Sequence, residues 1–178
     1  MILTGEKLRE AMRTAIKIRP FREENLGPDS YDITLGNEFL KVKAEETGVI
    51  DPERMNITGE RIFGRDFYLQ PGHFVVARSE EWIELPNNIL AMVSGKSGVA
   101  RLGIQVHAAA LLHPGHRGFV VLEISNHNTI PFRLVAGLKI AQLLFFEVEP
   151  VEEYYKMRLS TFGRQERIEL PARLGFSR

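Results

Sequence analysis

The chain has 178 residues, a length that suits one compact domain, and we expect residues 1–178 to fold as a single domain. Its 23 basic and 23 acidic side chains cancel, so attraction to nucleic acid is not indicated and any anion site must be local. The lack of cysteine excludes disulfides, thiol nucleophiles and zinc deaminases with a Pro-Cys-x-x-Cys signature. Without a bilayer-spanning apolar run or a signal-like N-terminus, we expect a cytoplasmic protein with no membrane partner.

One N-terminal helix followed by many short strands is predicted along the chain. Thr4 can cap a helix whose apolar residues, from Leu8 to Ile16, recur at helical spacing. After Pro20, β-branched and aromatic runs alternate with Gly, Pro and Asn turns, as in barrels and double-sheet jelly rolls. We therefore predict a mainly β fold, a distorted β-barrel or jelly roll with a short N-terminal helix. The predicted strands are residues 31–35, 67–69, 74–77, 89–93, 119–125 and 140–146.

Two regions do not show this alternation of strand runs and turns. Residues 41–66 are polar and rich in turn residues, so we expect them to form an excursion from the sheet. The segment from about residue 154 to residue 178 is less regular and carries several arginines. We interpret it as a C-terminal tail.

The first candidate site segment is residues 94–103 (SGKSGVARLG), which follow an apolar strand. Gly95 and Gly98 would let backbone N–H groups approach a ligand closely. Ser97 can cap a short helix, and Arg101 then shares one face with it, so that Lys96, Ser97 and Arg101 could converge on a phosphate or carbonyl. The order of residues is not that of a Walker loop. A solvated turn between strand and helix would use the same residue types.

The second candidate is a carboxylate within an apolar strand. In the run FVVLEISN (residues 119–126), period two places Val121, Glu123 and Ser125 on one face, and Leu122 and Ile124 on the other. Burial of Glu123 would disfavour its charged form and raise its pKa, as a general acid or base near neutrality requires. A structural ion pair with an arginine remains an alternative.

Further polar residues lie between and after these segments. His107, His113 and His116 fall within ten residues, but they do not show the paired spacing of metal ligands, so we expect no protein-held metal there. The small residues 108–110 would allow a flat base to approach the backbone. Gln142 interrupts a later apolar run, either as a satisfied core amide or as a ligand contact.

Residues 27–36 (GPDSYDITLG) precede these segments along the chain. Together with residues 95–103, 118–126 and 137–146 they resemble, in order, the four motifs of the dCTP deaminase and trimeric dUTPase superfamily. In the second motif Lys96 replaces the usual arginine and Gly98 the usual serine. In the third, Glu123 falls five residues after glycine, as in the deaminase branch. The resemblance covers roughly residues 1–150. The matching runs are residues 27–36 (GPDSYDITLG), 95–103 (GKSGVARLG), 118–126 (GFVVLEISN) and 137–146 (GLKIAQLLFF).

The resemblance implies zinc-independent, hydrolytic deamination of dCTP, or of a related deoxynucleoside triphosphate, to dUTP and ammonia. It implies a homotrimer with active sites at subunit contacts, Mg²⁺ carried by the triphosphate, and a tail (about residues 154–178) that covers the ligand. The matching glutamate of the deaminases moves protons for the water that attacks C4 of cytosine. Carried over, Glu123, Ser97 and Arg101 would be catalytic. The expected nucleotide-binding residues are Lys96, Gly98, Ala110, His113, Gln142, Arg164 and Gln165.

Two departures from the family pattern bear on the reaction. His113 stands where both branches usually have an aspartate that binds the sugar 3′-hydroxyl and, in dUTPases, positions the attacking water. An imidazole can hydrogen-bond a hydroxyl, but it is a poor substitute for that carboxylate, which counts against dUTP hydrolysis. The tail lacks the glycine-rich dUTPase arm. Two alternatives therefore remain: a dUTP pyrophosphatase, alone or coupled to deamination, and a nucleotide-binding regulator without catalysis.

Overall fold

A computed structural model describes residues 1–44, 48–107, 111–151, 166–172 and 174, and these residues are mainly β. The predicted N-terminal helix is confirmed as α1 (Gly5–Thr14), which buries Leu8 and has Thr4 at its N-cap. The Thr4 side chain makes no capping hydrogen bond. A second helix is the single turn α2 (Ser97–Ala100). The strands are β1 (Lys17–Arg19), β2 (Tyr31–Ala44), β3 (Ile57–Phe63), β4 (Asp66–Leu69), β5 (Phe74–Glu84), β6 (Ile89–Gly95), β7 (Ile104–His107), β8 (Leu111–Leu112), β9 (Arg117–Asn126), β10 (Phe132–Val135) and β11 (Lys139–Glu147).

Most strands belong to one curled, antiparallel sheet. Its order is β7-β9-β5-β2-β11-β6-β8, with β1 added to β5 and β3 added to β2, while β4 and β10 form a separate pair. Strand β2 joins the two halves, because its first residues pair with β11 and its later residues pair with β5 and β3. The predicted mainly β, distorted-barrel fold is confirmed.

The concave side of the sheet holds the main apolar core. Tyr31, Phe39, Leu122 and Phe145 are all fully buried there. The ring of Phe39 stacks on that of Phe67 with centroids 4.9 Å apart. Each such side chain contributes on the order of 1.5–3 kcal/mol of burial free energy, which fixes the faces that the strands present to solvent.

The observed strands are longer than the predicted ones, and one predicted segment has wrong boundaries. The predicted excursion over residues 41–66 is wrong at its two ends, because β2 continues to Ala44 and β3 pairs with it from Glu38↔Phe63 to Ala44↔Ile57. The reason is that the polar residues of this hairpin face solvent, so the sequence lacks the apolar alternation that marks a strand. The described residues 48–56 between the two strands lie outside the sheet. The helices of the described residues all fall short of the length and hydropathy that a membrane-spanning helix requires.

Gly36 lies where β2 passes from one half of the sheet to the other. The register between β2 and β5 shifts between Leu35 and Phe39, so the two backbones approach closely. A Cβ at Gly36 would lie 2.9 Å from the carbonyl oxygen of Arg78 and 3.0 Å from that of Ser79. Only glycine fits this approach without a backbone shift.

A short piece of the C-terminal region packs on the convex face of the sheet. Ile168 is fully buried against Leu40 and Val76, and Arg61 donates a hydrogen bond from Nη2 to the carbonyl oxygen of Ile168 over 2.8 Å. The Arg61 guanidinium is itself paired with the buried carboxylate of Glu38. This face of the sheet is therefore partly covered by the chain itself.

Candidate functional site

Glu123 lies in the middle of β9, as the alternating pattern predicted. In the sheet, β9 lies between β5 and β7. The adjacent residues Leu122 and Ile124 are fully buried in the core, whereas Glu123 points to the convex face and is half-buried. Its Oε2 atom is buried and has no hydrogen-bond partner within the described residues. Burial raises the pKa of the Glu123 carboxyl. None of the ion pairs of the described residues within one chain involves Glu123.

Residues 94–103 comprise the end of β6, the single helical turn α2 and the turn that leads into β7. The helix N-cap is Lys96 rather than Ser97, so the predicted capping role of Ser97 is wrong. Ser97 is the first helical residue, and its carbonyl oxygen accepts a hydrogen bond from the Arg101 N–H over 3.0 Å. The Ser97 and Arg101 side chains are both exposed, as is Gly98, where an added Cβ would meet nothing within 4 Å. This turn is open to a ligand.

Lys96 belongs to a charged cluster that the sequence reasoning did not identify. Its Nζ lies 2.6 Å from one carboxylate oxygen of Asp32, and Nζ of Lys139 lies 3.5 Å from the other. Asp32, Gln142 and Ser94 stand in register across β2, β11 and β6, so their side chains project from the same side of the sheet. The pairing could have been suspected from the position of Asp32 in the first motif.

This cluster suits a phosphate-bearing ligand. Two ammonium groups positioned by one carboxylate supply the point charges that phosphate oxygens accept. Mg²⁺ is commonly held by one or two carboxylates together with substrate phosphates. The described residues contain no group of three or more His, Asp or Glu side chains that could hold an ion by themselves. The donor set therefore fits Mg²⁺ that is bound chiefly by a triphosphate, with Asp32 as the nearby carboxylate.

A pocket of about 470 Å³ opens beside the loop. It is lined by Lys96, Val99, Val106 and His127, among other residues of α2, β7 and the loop that follows β6. Ser97, Arg101 and Glu123 do not line it. Within the described part of one chain no hydrogen bond or ion pair joins Glu123 to Ser97 or Arg101.

Of the remaining predicted nucleotide-binding residues, His113 lies within the described part of the chain. His113 is half-buried in the turn before β9, and its carbonyl oxygen accepts the His116 N–H over 3.0 Å. Ala110, Arg164 and Gln165 lie outside the described residues. The pKa of His116 falls to about 4 because its ring is buried, which makes it a neutral structural group at pH 7.

The end of the loop is tied firmly to the end of β9. The His127 N–H donates to the carbonyl oxygen of Gly103 over 2.7 Å, and the Asn128 side chain donates to Leu102 over 3.0 Å. Gly103 has a φ of +78°, and a Cβ there would lie 3.0 Å from Asn128, so a glycine is required. The Glu123 strand and the Ser97 loop thus keep a fixed relation within one chain.

Comparison with known proteins shows the family of this chain. The family model described as dCTP deaminase-like matches residues 2–148. Relatives named "dCTP deaminase, dUMP-forming" include those of Nanoarchaeum equitans, 37% identical over 88% of this chain and 89% of its own, and Methanoregula boonei, 41% identical over 87% of each.

Solved structures show the same fold. The 2′-deoxycytidine 5′-triphosphate deaminase of Agrobacterium tumefaciens superimposes with a TM-score of 0.63 at 20% identity over 81% of this chain, which spans only 47% of that protein. The dUTPase of Staphylococcus aureus phage phi11 gives a TM-score of 0.52 at 14% identity over 79% of this chain and 99% of its own. The match over residues 2–148 and the identity to full-length relatives show that this chain belongs to the dCTP deaminase-like family.

Proposed function

We propose that this protein catalyses the hydrolytic deamination of dCTP. The observation that carries the proposal is Glu123, a carboxyl with one buried and unpaired oxygen among the described residues and a pKa raised by burial. A structural carboxylate would normally have a partner, because an unpaired buried polar group is destabilising. Such a group is retained where it serves chemistry, and the names of the relatives supply the substrate.

In the proposed reaction Glu123 accepts a proton from water while the water oxygen bonds to C4 of cytosine. The carboxyl then passes this proton to the exocyclic nitrogen, the C4–N bond breaks, and ammonia leaves. The second proton of the water ends on N3 of the uracil product. Ser97 and Arg101 would hydrogen-bond and stabilise the charge that develops on the base during the attack. Proton transfer of this kind typically contributes about 10²–10⁴-fold to a rate.

We further propose that the site is completed between copies of the chain in a homotrimer. Ser97 and Arg101 are exposed and are not joined to Glu123 within one chain. An apolar row also crosses the convex face through Leu144, Met92 and Leu111, which stand in register on β11, β6 and β8. Leu111 is 48% exposed, as expected of a surface that a second copy would cover.

A mixing experiment tests the shared site. Glu123→Gln and Arg101→Ala proteins should each be inactive alone, and unfolding and reassembling them together should restore about a quarter of the wild-type activity, because half of the subunits supply each intact residue. No recovery from a properly assembled mixture would show that the residues act within one chain.

We propose dUMP, rather than dUTP, as the final product. The relatives named above are dUMP-forming, which supports hydrolysis of the triphosphate after deamination. His113 argues for dUTP, since it replaces the aspartate expected from the resemblance. Mg²⁺ would neutralise charge on the triphosphate, while Lys96 and Lys139 hold its oxygens. The tail of about residues 154–178 stays a prediction as the cover of the ligand.

A product assay decides both parts. Wild-type protein with dCTP and Mg²⁺ should release ammonia, pyrophosphate and dUMP, and the Glu123→Gln variant should release ammonia about 10²–10⁴-fold more slowly. The exposed Glu53→Gln variant is the matched control and should behave as the wild type. Ammonia with dUTP as the end product would overturn the dUMP proposal alone, whereas an absence of ammonia would overturn the deaminase proposal.

A further inference from the structure

We propose that His127, Ser125 and His107 form a proton-transfer chain that connects the Glu123 carboxyl with solvent during the proposed deamination. The Ser125 hydroxyl lies 2.7 Å from Nε2 of His107 and 2.8 Å from Nε2 of His127. Both distances are those of strong hydrogen bonds. Ser125 is itself buried, whereas His127 is exposed, so the chain runs from the surface inward.

The chemistry of the hydroxyl fixes the roles of the two rings. A serine hydroxyl has one proton and two lone pairs, and these imidazoles are its only hydrogen-bond partners in the described residues. The hydroxyl therefore donates to one Nε2 and accepts from the other. One ring must carry its proton on Nε2 and the other on Nδ1, which is the arrangement that lets a proton move along the row.

The inner end of the row faces Glu123. No hydrogen bond joins the His107 and Glu123 side chains among the described residues, so the last transfer requires a rotation of the carboxyl or one intervening water. His107 is the β7 residue directly opposite Glu123, and neighbouring side chains in such a pair have Cβ atoms about 4.5–5.5 Å apart. Ser125 lies two residues further along β9, on the same face as Glu123. Phe74, opposite Ser125 on β5, has its ring centroid 6.1 Å from that of His107.

The outer end lies beside the candidate loop. His127 lines the pocket that Lys96 also lines, and its backbone is bonded to Gly103. The side chains that share the row are Val76 and Phe74 of β5, and Gln105 of β7, so the nearest registered neighbours bring no further charge. A proton that enters at His127 has Ser125 and then His107 as its path to Glu123.

The reaction supplies a reason for such a chain. Hydrolysis of dCTP yields ammonia, which needs one further proton to leave as ammonium. In the proposed transfer, His127 gains a proton at Nδ1 and passes its Nε2 proton to Ser125. Ser125 passes its hydroxyl proton to Nε2 of His107, and His107 releases its Nδ1 proton to the Glu123 carboxylate. Glu123 gives this proton to the departing ammonia, which leaves as ammonium, and becomes a carboxylate again. One proton thus enters at His127 and one leaves on ammonium, and exchange with solvent later restores the ring tautomers.

Two variants and one spectrum test the proposal, which rests on the proposed role of Glu123. Ser125→Ala should lower kcat for ammonia release about tenfold or more with KM within about twofold, because proton transfer rather than binding is impaired. His127→Ala should show the same loss, and added imidazole should restore its rate. His73→Ala, at an exposed histidine in the turn before β5, is the control and should neither lose rate nor respond to imidazole.

The ring tautomers give a readout that does not depend on activity. In ¹⁵N spectra of the wild-type protein at about pH 8, His107 and His127 should carry their protons on different nitrogens, and Ser125→Ala should abolish this fixed pairing. Identical tautomers would overturn the proton chain even if the protein proved to have another activity. Opposite tautomers with unchanged kcat in both variants would overturn it while leaving the deaminase proposal intact.

Discussion

Replacement of Glu123 by glutamine should remove activity and, at neutral or alkaline pH, increase stability. The carboxyl has one buried oxygen without a partner in the described residues, and burial raises its pKa. A group whose pKa is raised on folding contributes stability below its unfolded pKa of about 4.3, and this contribution is lost as the pH rises through the folded pKa. Glutamine is neutral at every pH, so the variant does not lose this stability as the pH rises.

The magnitude follows from the single orphaned oxygen. Leaving a buried polar group unsatisfied costs about 1–3 kcal/mol, and more when the group is charged. The unfolding free energy of Glu123→Gln minus that of the wild type should therefore be about 1–3 kcal/mol larger at about pH 8 than at about pH 4. Because the amide is also unsatisfied, the difference between the two pH values isolates the ionisation of the carboxyl.

Denaturant unfolding at one fixed protein concentration measures this gain, since association would otherwise shift the midpoint. Glu53→Gln, at an exposed carboxylate, should show no pH-dependent gain. In the same preparations Glu123→Gln should release ammonia about 10²–10⁴-fold more slowly than wild type. An inactive variant whose stability relative to wild type is the same at pH 8 as at pH 4 would refute the burial argument, and an active variant would refute the catalytic one.

Three further changes test other parts of the structure. Gly36→Ala should lower the unfolding free energy by about 1–3 kcal/mol in thermal or denaturant unfolding, because its Cβ would lie 2.9 Å from the Arg78 carbonyl oxygen, whereas Gly64→Ala, with 3.7 Å to its nearest neighbour, should not. Ser97→Ala should leave the melting temperature unchanged and lower kcat, since its exposed hydroxyl makes no hydrogen bond within the described residues. For His116, with a pKa of about 4 against an ordinary 6.5, stability should be lost as the pH falls from about 6.5 to about 4, by up to about 3 kcal/mol, and His116→Gln should reduce that acid sensitivity.

The strand that carries Glu123 could be predicted from the sequence because its signal is local. Alternation alone places Leu122 and Ile124 in the core, and a carboxylate between them can only face the other side of the sheet. The same reasoning failed at the ends of residues 41–66, where both faces of β3 are largely exposed and the alternation is lost. A paired strand without a buried face does not differ from a loop in composition.

The partners of the site residues could not be predicted, since they depend on register between distant strands. Asp32 meets Lys96 only because β2 and β6 both flank β11, and Ser125 meets His107 only because β7 pairs with β9. The sequence reasoning considered three histidines as metal ligands and rejected them, but it did not consider His127, which lies beyond that run. Contacts of this kind require the topology as well as the motifs.

Strand β2 belongs to both halves of the sheet, and this affects how the protein unfolds. Tyr31–Thr34 are bonded to β11, and a few residues later Phe39 and Leu40 are bonded to β5. Neither half can separate without breaking part of this strand, so the two halves should open as one cooperative unit. In native-state hydrogen exchange the amides of β2 should then be among the last to exchange, and those of both halves should share one opening free energy. The loop that carries Ser97 and the strand that carries Glu123 would be lost together, in a single step.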